Sequence, residues 1–228
     1  MPLTASDFSV IMTDMNAPSV KPYHSPLRQE QAEATRQRLL RATAELLQRD
    51  PDGPFAFAEL AAAAGVKERT VYRHFPSKEA LLDAFWTWIN ERAGFAAYPE
   101  SERDLVEQPK AVFAGFDAIE GLVRASISSR AGREMRLRRL PERRAAFERS
   151  LAGVTGGLAP ERARQLTAAI HLLYSAPAWQ VMRDFAGLSS AEAGEAASWA
   201  IRTLIAAARQ EAAPARHPSA NHRIKETP

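Results

Sequence analysis

Apolar residues recur at intervals of three and four along most of the chain, the spacing of one helical face rather than of a strand. Thr35 to Gln48 places Leu39, Leu40, Thr43, Leu46 and Leu47 on one side. Phe57 to Ala64 is a short helix with Leu60 and Ala61 as inward positions. Lys78 to about Ala97 carries Leu81, Leu82, Phe85, Trp86, Trp88 and Ile89 around a broad apolar surface. After a break near Pro99, the positions Val112, Phe116, Ile119, Val123 and Ile127 predict one amphipathic helix opening near Pro109. A shorter helix follows Pro141, and Gly153, Gly156 and Gly157 mark a loop. Pro160 opens a long helix with Leu166, Ile170, Leu173 and Val181 on one face, kinked where Pro177 removes a hydrogen bond. Ser189 and Glu192 form a capping-box pattern for a last helix to about Gln210, in which Ala193, Ala196, Ala197 and Ala200 lie beside Trp199, Ile201, Leu204 and Ile205. No strand-like alternation and no internal repeat interrupts this pattern. The expected fold is all-α.

The stretch from Gly65 to Leu82, GVKERTVYRHFPSKEALL, breaks the monotony. Gly65 supplies the permissive backbone of a tight corner between two helices. In the helix that follows, Val71 and Phe75 are apolar and four apart, so they face the core. Lys67, Arg69, Thr70, Tyr72, Arg73 and His74 occupy the remaining surface. Pro76 ends that helix and Ser77 is a good cap for the next. This layout sets a short basic helix into a DNA major groove and braces it on the phosphates. Arginine suits two-pronged bonding to a guanine edge, which fits Arg69 and Arg73. The hydroxyls of Thr70 and Tyr72 suit phosphate oxygens, and Lys78 sits at a helix N-terminus that already favours an anion. Glu68 would either accept from a cytosine amine or repel phosphate.

The region from about Thr35 to Leu82 resembles the N-terminal domain of the TetR/AcrR family of bacterial transcriptional regulators. TRQRLLRATAELL is similar to its first helix, FAELAAAAGV to its second with the turn, and KERTVYRHF with PSKEALL to its recognition helix and fourth-helix start. The resemblance implies phosphate contacts from Thr70, Tyr72, His74 and Lys78, and base readout from Lys67, Glu68, Arg69 and Arg73. It also implies a repressor that binds a pseudo-palindromic operator as a homodimer, paired through its last two helices as a four-helix bundle. Two positions depart from the family pattern: Ala56 and Lys67 stand where threonine and serine often cap the second and third helices. Losing such a cap costs roughly 0.5–2 kcal/mol, so a recognition helix that frays when free and is completed on DNA is expected.

Composition narrows the rest. Hydrophobic residues make up 46% of the 228, enough for a sizeable core in one or two modest domains. A net charge of only +3 means that any nucleic-acid surface is local. The absence of cysteine excludes disulfides, thiolate zinc sites and cysteine nucleophiles. No apolar run reaches the roughly 20 residues that span a bilayer, and no signal peptide pattern opens the chain, so a cytoplasmic location is expected. No Gly-rich phosphate loop, GxSxG or HExxH motif asks for an enzyme, a cofactor or a metal. His217 and His222 resemble a metal pair only loosely.

The expected organisation is a disordered arm over residues 1–27, a helix-turn-helix domain over 28–80, a helical ligand-binding and dimerisation domain over 81–211, and a disordered tail over 212–228. Lys21, His24 and Arg28 give the arm a basic end that suits a minor groove as well as a plain tail, and Met12 and Met15 are alternative starts. Trp86, Phe113, Phe116, His171, Tyr174 and Trp179 are candidates to line a pocket for a small hydrophobic effector; the competing reading is ordinary core. Residues 130 to 149 hold eight arginines against three glutamates, a solvated helix face or a site for an anion. The alternative to a regulator is a helical hydrophobic-ligand carrier or interaction protein without DNA-dependent regulation, which would leave the basic helix unexplained.

Overall fold

A computed structural model describes residues 26–51, 53, 55–94 and 98–213. The expectations placed on Met12, Met15, Lys21, His24, His217 and His222 lie outside the described residues. The chain divides after Thr35 into two units; of the first, residues 26–35 are described, all helical. The described residues are all-α, as the periodicity predicts, and form ten helices: α1 (Pro26–Arg49), α2 (Phe57–Ala63), α3 (Glu68–His74), α4 (Lys78–Arg92), α5 (Glu102–Ala118), α6 (Glu120–Ser128), α7 (Arg130–Thr155), α8 (Pro160–Leu173), α9 (Ala176–Asp184) and α10 (Ser190–Ala212).

Several boundaries differ from the sequence reading. α1 begins at Pro26 rather than Thr35. Proline suits a first helical position, and the polar residues after it form helix without an apolar stripe. α4 stops at Arg92, short of Ala97, because Gly94 turns the chain with φ +77°. α5 starts at Glu102, well before Pro109. A capping box between Ser101 and Asp104 fixes the start, and the fully buried Leu105 anchors the first turn. Together they carry the helix through Pro109 despite its missing N–H. Similarly, α7 runs from Arg130 through Pro141, held on either side of the proline by the buried Met135 and Phe147.

The helix expected through Ile127 is two helices. The backbone breaks at Ile119 (φ −131°, ψ 36°), which packs against both hydrophobic cores. One core joins Leu39, Leu47, Leu60, Val71, Phe75 and Phe85 to Leu122 and Met135. The other joins Phe113 and Val123 to Phe147, Ile170, Trp179 and Ile201. Turning at Ile119 sends Leu122 to the first core and Val123 to the second. Pro177 does not kink one long helix; α8 ends at Leu173 and Ser175 caps a new helix, accepting from the Ala178 N–H at 3.3 Å. Pro177 then sits in the first turn of α9, where no N–H is needed. Val181, expected on the apolar face, is exposed.

The capping box of Ser189 and Glu192 opens α10, and its small residues allow close packing. An ideal Cβ on Gly194 would lie 2.8 Å from Lys110 Cα, so α10 meets the backbone of α5.

Candidate nucleic-acid interface and cavity

The corner before α3 is built from local hydrogen bonds. Gly65 adopts φ +64°, while its N–H donates to the Ala62 carbonyl (3.2 Å) and the Val66 N–H to the Ala61 carbonyl (2.9 Å). α3 is only seven residues long, and neither Ala56 before α2 nor Lys67 before α3 makes a side-chain cap bond. Burial holds α3 instead: Val71 and Phe75 are 0% and 1% exposed. The Arg36 guanidinium lies 4.7 Å above the Phe75 ring.

With those two residues inward, Lys67, Glu68, Arg69, Tyr72 and Arg73 are exposed, and Thr70, His74 and Lys78 are half-buried. The Tyr72 ring rests edge-on against Phe57, centroids 4.9 Å apart, which orients the side chain while leaving half of it exposed. Ser77 caps α4 by accepting from the Ala80 N–H at 3.2 Å. The residues assigned from the sequence therefore lie on one short segment that presents basic and hydroxyl groups, with Glu68 among them, from a fixed backbone. Lys78 has a further partner: its ammonium lies 2.8 Å from Glu134 Oε2 on α7.

A second link runs from α4 to α7. Asp83 accepts from Arg138 (3.0 Å) and lies 3.6 Å from Arg139, and the Arg138 hydrogen bond holds its carboxyl below the usual range. Beside this seam, α4, α5, α6 and α7 surround a cavity of about 600 Å³ with Tyr98 and Tyr174 in its wall. Trp86, Phe116 and Tyr174, three of the six residues proposed from the sequence, line it. The other three lie elsewhere. Phe113 is fully buried and stacked on Phe116 at 6.0 Å. Trp179 is fully buried, meets Phe116 edge-on at 5.8 Å and donates its indole N–H to Ser190 Oγ at 2.8 Å. His171 packs on the Phe147 ring at 4.9 Å, and burial, reinforced by Arg143 and Arg144, lowers its pKa to about 4.

The cavity also takes residues that sequence reasoning did not single out, among them Tyr98, Met135 and four arginines of α7: Arg136, Arg139, Arg143 and Arg149. Arg136, Arg139 and Arg143 follow an i, i+3, i+7 spacing, which puts them on one helix face. Arg136 donates to the carbonyls of Ser126 and Ile127 (the latter at 3.1 Å), closing the end of α6. Arg143 donates to the Tyr174 carbonyl at 3.1 Å and lies 5.6 Å from the Phe147 centroid. The Tyr174 hydroxyl donates to Gln108 Oε1, and burial raises its pKa. The arginine-rich run is thus divided, with some members in surface pairs and others turned inward.

Among the described residues, no helix is long and apolar enough to cross a membrane, and no group of three or more His, Asp or Glu residues is placed to hold a metal.

Residues 39–85 match a known family described as bacterial regulatory proteins, tetR family. Two curated proteins, each named nucleoid occlusion factor SlmA, are similar over part of the chain. The one from Marinobacter nauticus is 41% identical over 61 residues, covering 27% of this chain and 31% of that protein. The one from Idiomarina loihiensis is 36% identical over 62 residues, covering 27% and 32%. The chain thus spans about a third of the length of the curated relatives it matches.

Proposed function

We propose that the chain, whose residues 39–85 match the tetR family of bacterial regulatory proteins, is a transcriptional regulator that binds a pseudo-palindromic operator as a homodimer and answers to a small ligand. The observation that carries the reading is the segregation within α3: Val71 and Phe75 are buried, while Lys67, Arg69, Tyr72 and Arg73 face outward. DNA reading is assigned to residues 28–80, and ligand binding and dimerisation to residues 81–211. Repression is the expected outcome by family analogy alone. The nucleoid occlusion factors are similar over only 27% of this chain, so their role is not carried over to it.

Two kinds of contact are distinguishable by experiment. Tyr72→Phe weakens binding to all sequences alike, because a phosphate contact carries no base information. Arg69→Ala or Arg73→Ala also relaxes base preference, by about 1–3 kcal/mol where a two-pronged base contact is lost. Selection on randomised DNA reads both effects; unchanged base preference in both arginine variants would overturn the readout assignment. A carrier without DNA-dependent regulation is the second reading, supported by the cavity. Steep loss of DNA binding with added salt favours the regulator, because neutralised phosphates release counterions.

The Lys78–Glu134 pair supplies a further test. Lys78→Ala lowers affinity for every sequence and reduces the salt slope by about 1 per protomer. Glu134→Gln acts in the opposite sense by freeing Lys78 for phosphate. The gain is at most about fivefold, because a half-exposed pair is worth about 0–1 kcal/mol. Salt titrations of both variants measure it; an unaltered slope in Lys78→Ala would remove Lys78 from the phosphate set.

Ligand control is carried by α4. Leu81, Leu82 and Phe85 belong to the core that holds α3, while Trp86 and Ile89 on the same helix line the cavity. A ligand that prefers one position of α4 over another therefore alters operator affinity, and operator alters ligand affinity by the same factor. The expected coupling is about 1–3 kcal/mol, or roughly 5–150-fold. Titrating cavity ligands against bound operator tests it; a ligand that binds without changing operator affinity would defeat the coupling.

A further inference from the structure

The cavity walls are unequal. Trp86, Ile89, Val112, Phe116 and Val123 supply apolar lining from α4, α5 and α6, and α7 supplies Arg136, Arg139, Arg143 and Arg149. The carboxylates at the rim do not balance this charge. Glu91 and Glu100 are exposed, and Glu142 is paired with Arg139 at 3.3 Å. Arg136 is occupied by the carbonyls that end α6.

Arg143 differs from both, and also from Arg149, which is exposed to water. Among the described residues it has no carboxylate partner; its recorded neighbours are the Tyr174 carbonyl and the Phe147 ring. A guanidinium carries five N–H donors, so most of its bonding capacity is unused. Burial is the main influence on its acidity and pushes its pKa down, with Arg136 adding to the effect. One turn away, the Arg139 Nε–H is buried and has no acceptor. Buried charges are normally paired, and a cation left unmatched beside a cavity marks the place of a missing anion.

We propose that the cavity binds an amphipathic carboxylate, with its head group held by Arg143 and its hydrocarbon or aryl body against Trp86, Phe116 and Val123. The proposal rests on the ligand-controlled reading above and specifies the ligand's chemical class. A planar guanidinium matches a carboxylate in two-pronged geometry. The apolar lining selects against small hydrophilic anions, which would leave it wet. Arg139, already engaged by Asp83 and Glu142, lies beside the head group and connects it to the seam with α4.

The test uses the full chain and matched probes: decanoate and 4-phenylbutyrate against their primary amides, by calorimetry at constant ionic strength. The carboxylates should bind about 10- to 100-fold more tightly than the amides, the range expected for hydrogen bonds to a charged group. Arg143→Met, close in length but uncharged, should abolish that ratio while amide binding persists. Arg143→Lys, which keeps the charge and loses the fork, should retain part of it, and this variant stands in if Arg143→Met does not fold. Equal binding of acids and amides by the unaltered protein overturns the anion assignment and leaves the cavity reading intact. A ratio that survives both Arg143 variants overturns Arg143 as the anchor. Failure of every probe to bind overturns the ligand-controlled reading together with this one.

Discussion

Trp199→Glu is expected to leave the protein monomeric at micromolar concentration and to weaken operator binding by about 10²–10⁴-fold, the range lost when two linked contacts become one. Trp199 lies on α10 and is 67% exposed, the opposite of what a large aromatic ring prefers in water. Leu172 on α8 is also exposed. The buried face of α10, with Ala193, Ala197, Ile201 and Ile205, already faces the bundle core. A carboxylate at 199 therefore leaves the protomer's packing alone and acts on whatever covers the outer face. Tryptophan is the residue most often found at the energetic centre of an interface, and a charge there would be desolvated without a partner. Sedimentation velocity measures the assembly, and titration of a full operator against a single half-site measures the loss. A Trp199→Glu protein that remains dimeric and binds the full operator normally would place the dimer surface elsewhere.

Phe75→Ala should cost about 3–5 kcal/mol of stability, the range for deleting a buried aromatic ring. A typical domain has only about 5–15 kcal/mol in total, so the loss is a large fraction. The cost should fall at the upper end because α3 has little else to hold it. It has two turns, no side-chain cap at Lys67, and two buried anchors, Val71 and Phe75. Removing Phe75 also removes the ring beneath Arg36. Specific DNA binding should fall with stability, since Arg69 and Arg73 are aimed by the helix that the ring secures. Denaturant unfolding monitored by helical signal gives the free energy. A loss below about 1 kcal/mol, typical of a surface substitution, would mean that α3 is held by something other than these two anchors.

The helix-turn-helix segment was legible because its signals act over a few residues. Gly65 takes the left-handed backbone, Ser77 caps α4, and Val71 and Phe75 share a face whatever surrounds them. The capping box at Ser189 is of the same kind. Proline was less dependable. Pro109 and Pro141 lie within helices, and Pro177 begins one, because burial of Leu105, Met135 and Phe147 and the cap at Ser175 outweighed the local cost. The start of α1 at Pro26 was missed for the converse reason: a polar helix has no stripe to read.

By itself the sequence determined the all-α class, the corner at Gly65 and the outward face of α3, since hydrogen bonds and periodicity within about four residues suffice for each. Only the tertiary structure decided the break at Ile119, the burial of Phe113 and Trp179 away from the cavity, and the inward turn of Arg143 among the arginines of α7. An aromatic ring or a guanidinium reads the same in sequence whether it fills a core, lines a cavity or meets water. The choice depends on which distant helices pack beside it, here α4, α5 and the Tyr174 carbonyl at the end of α8.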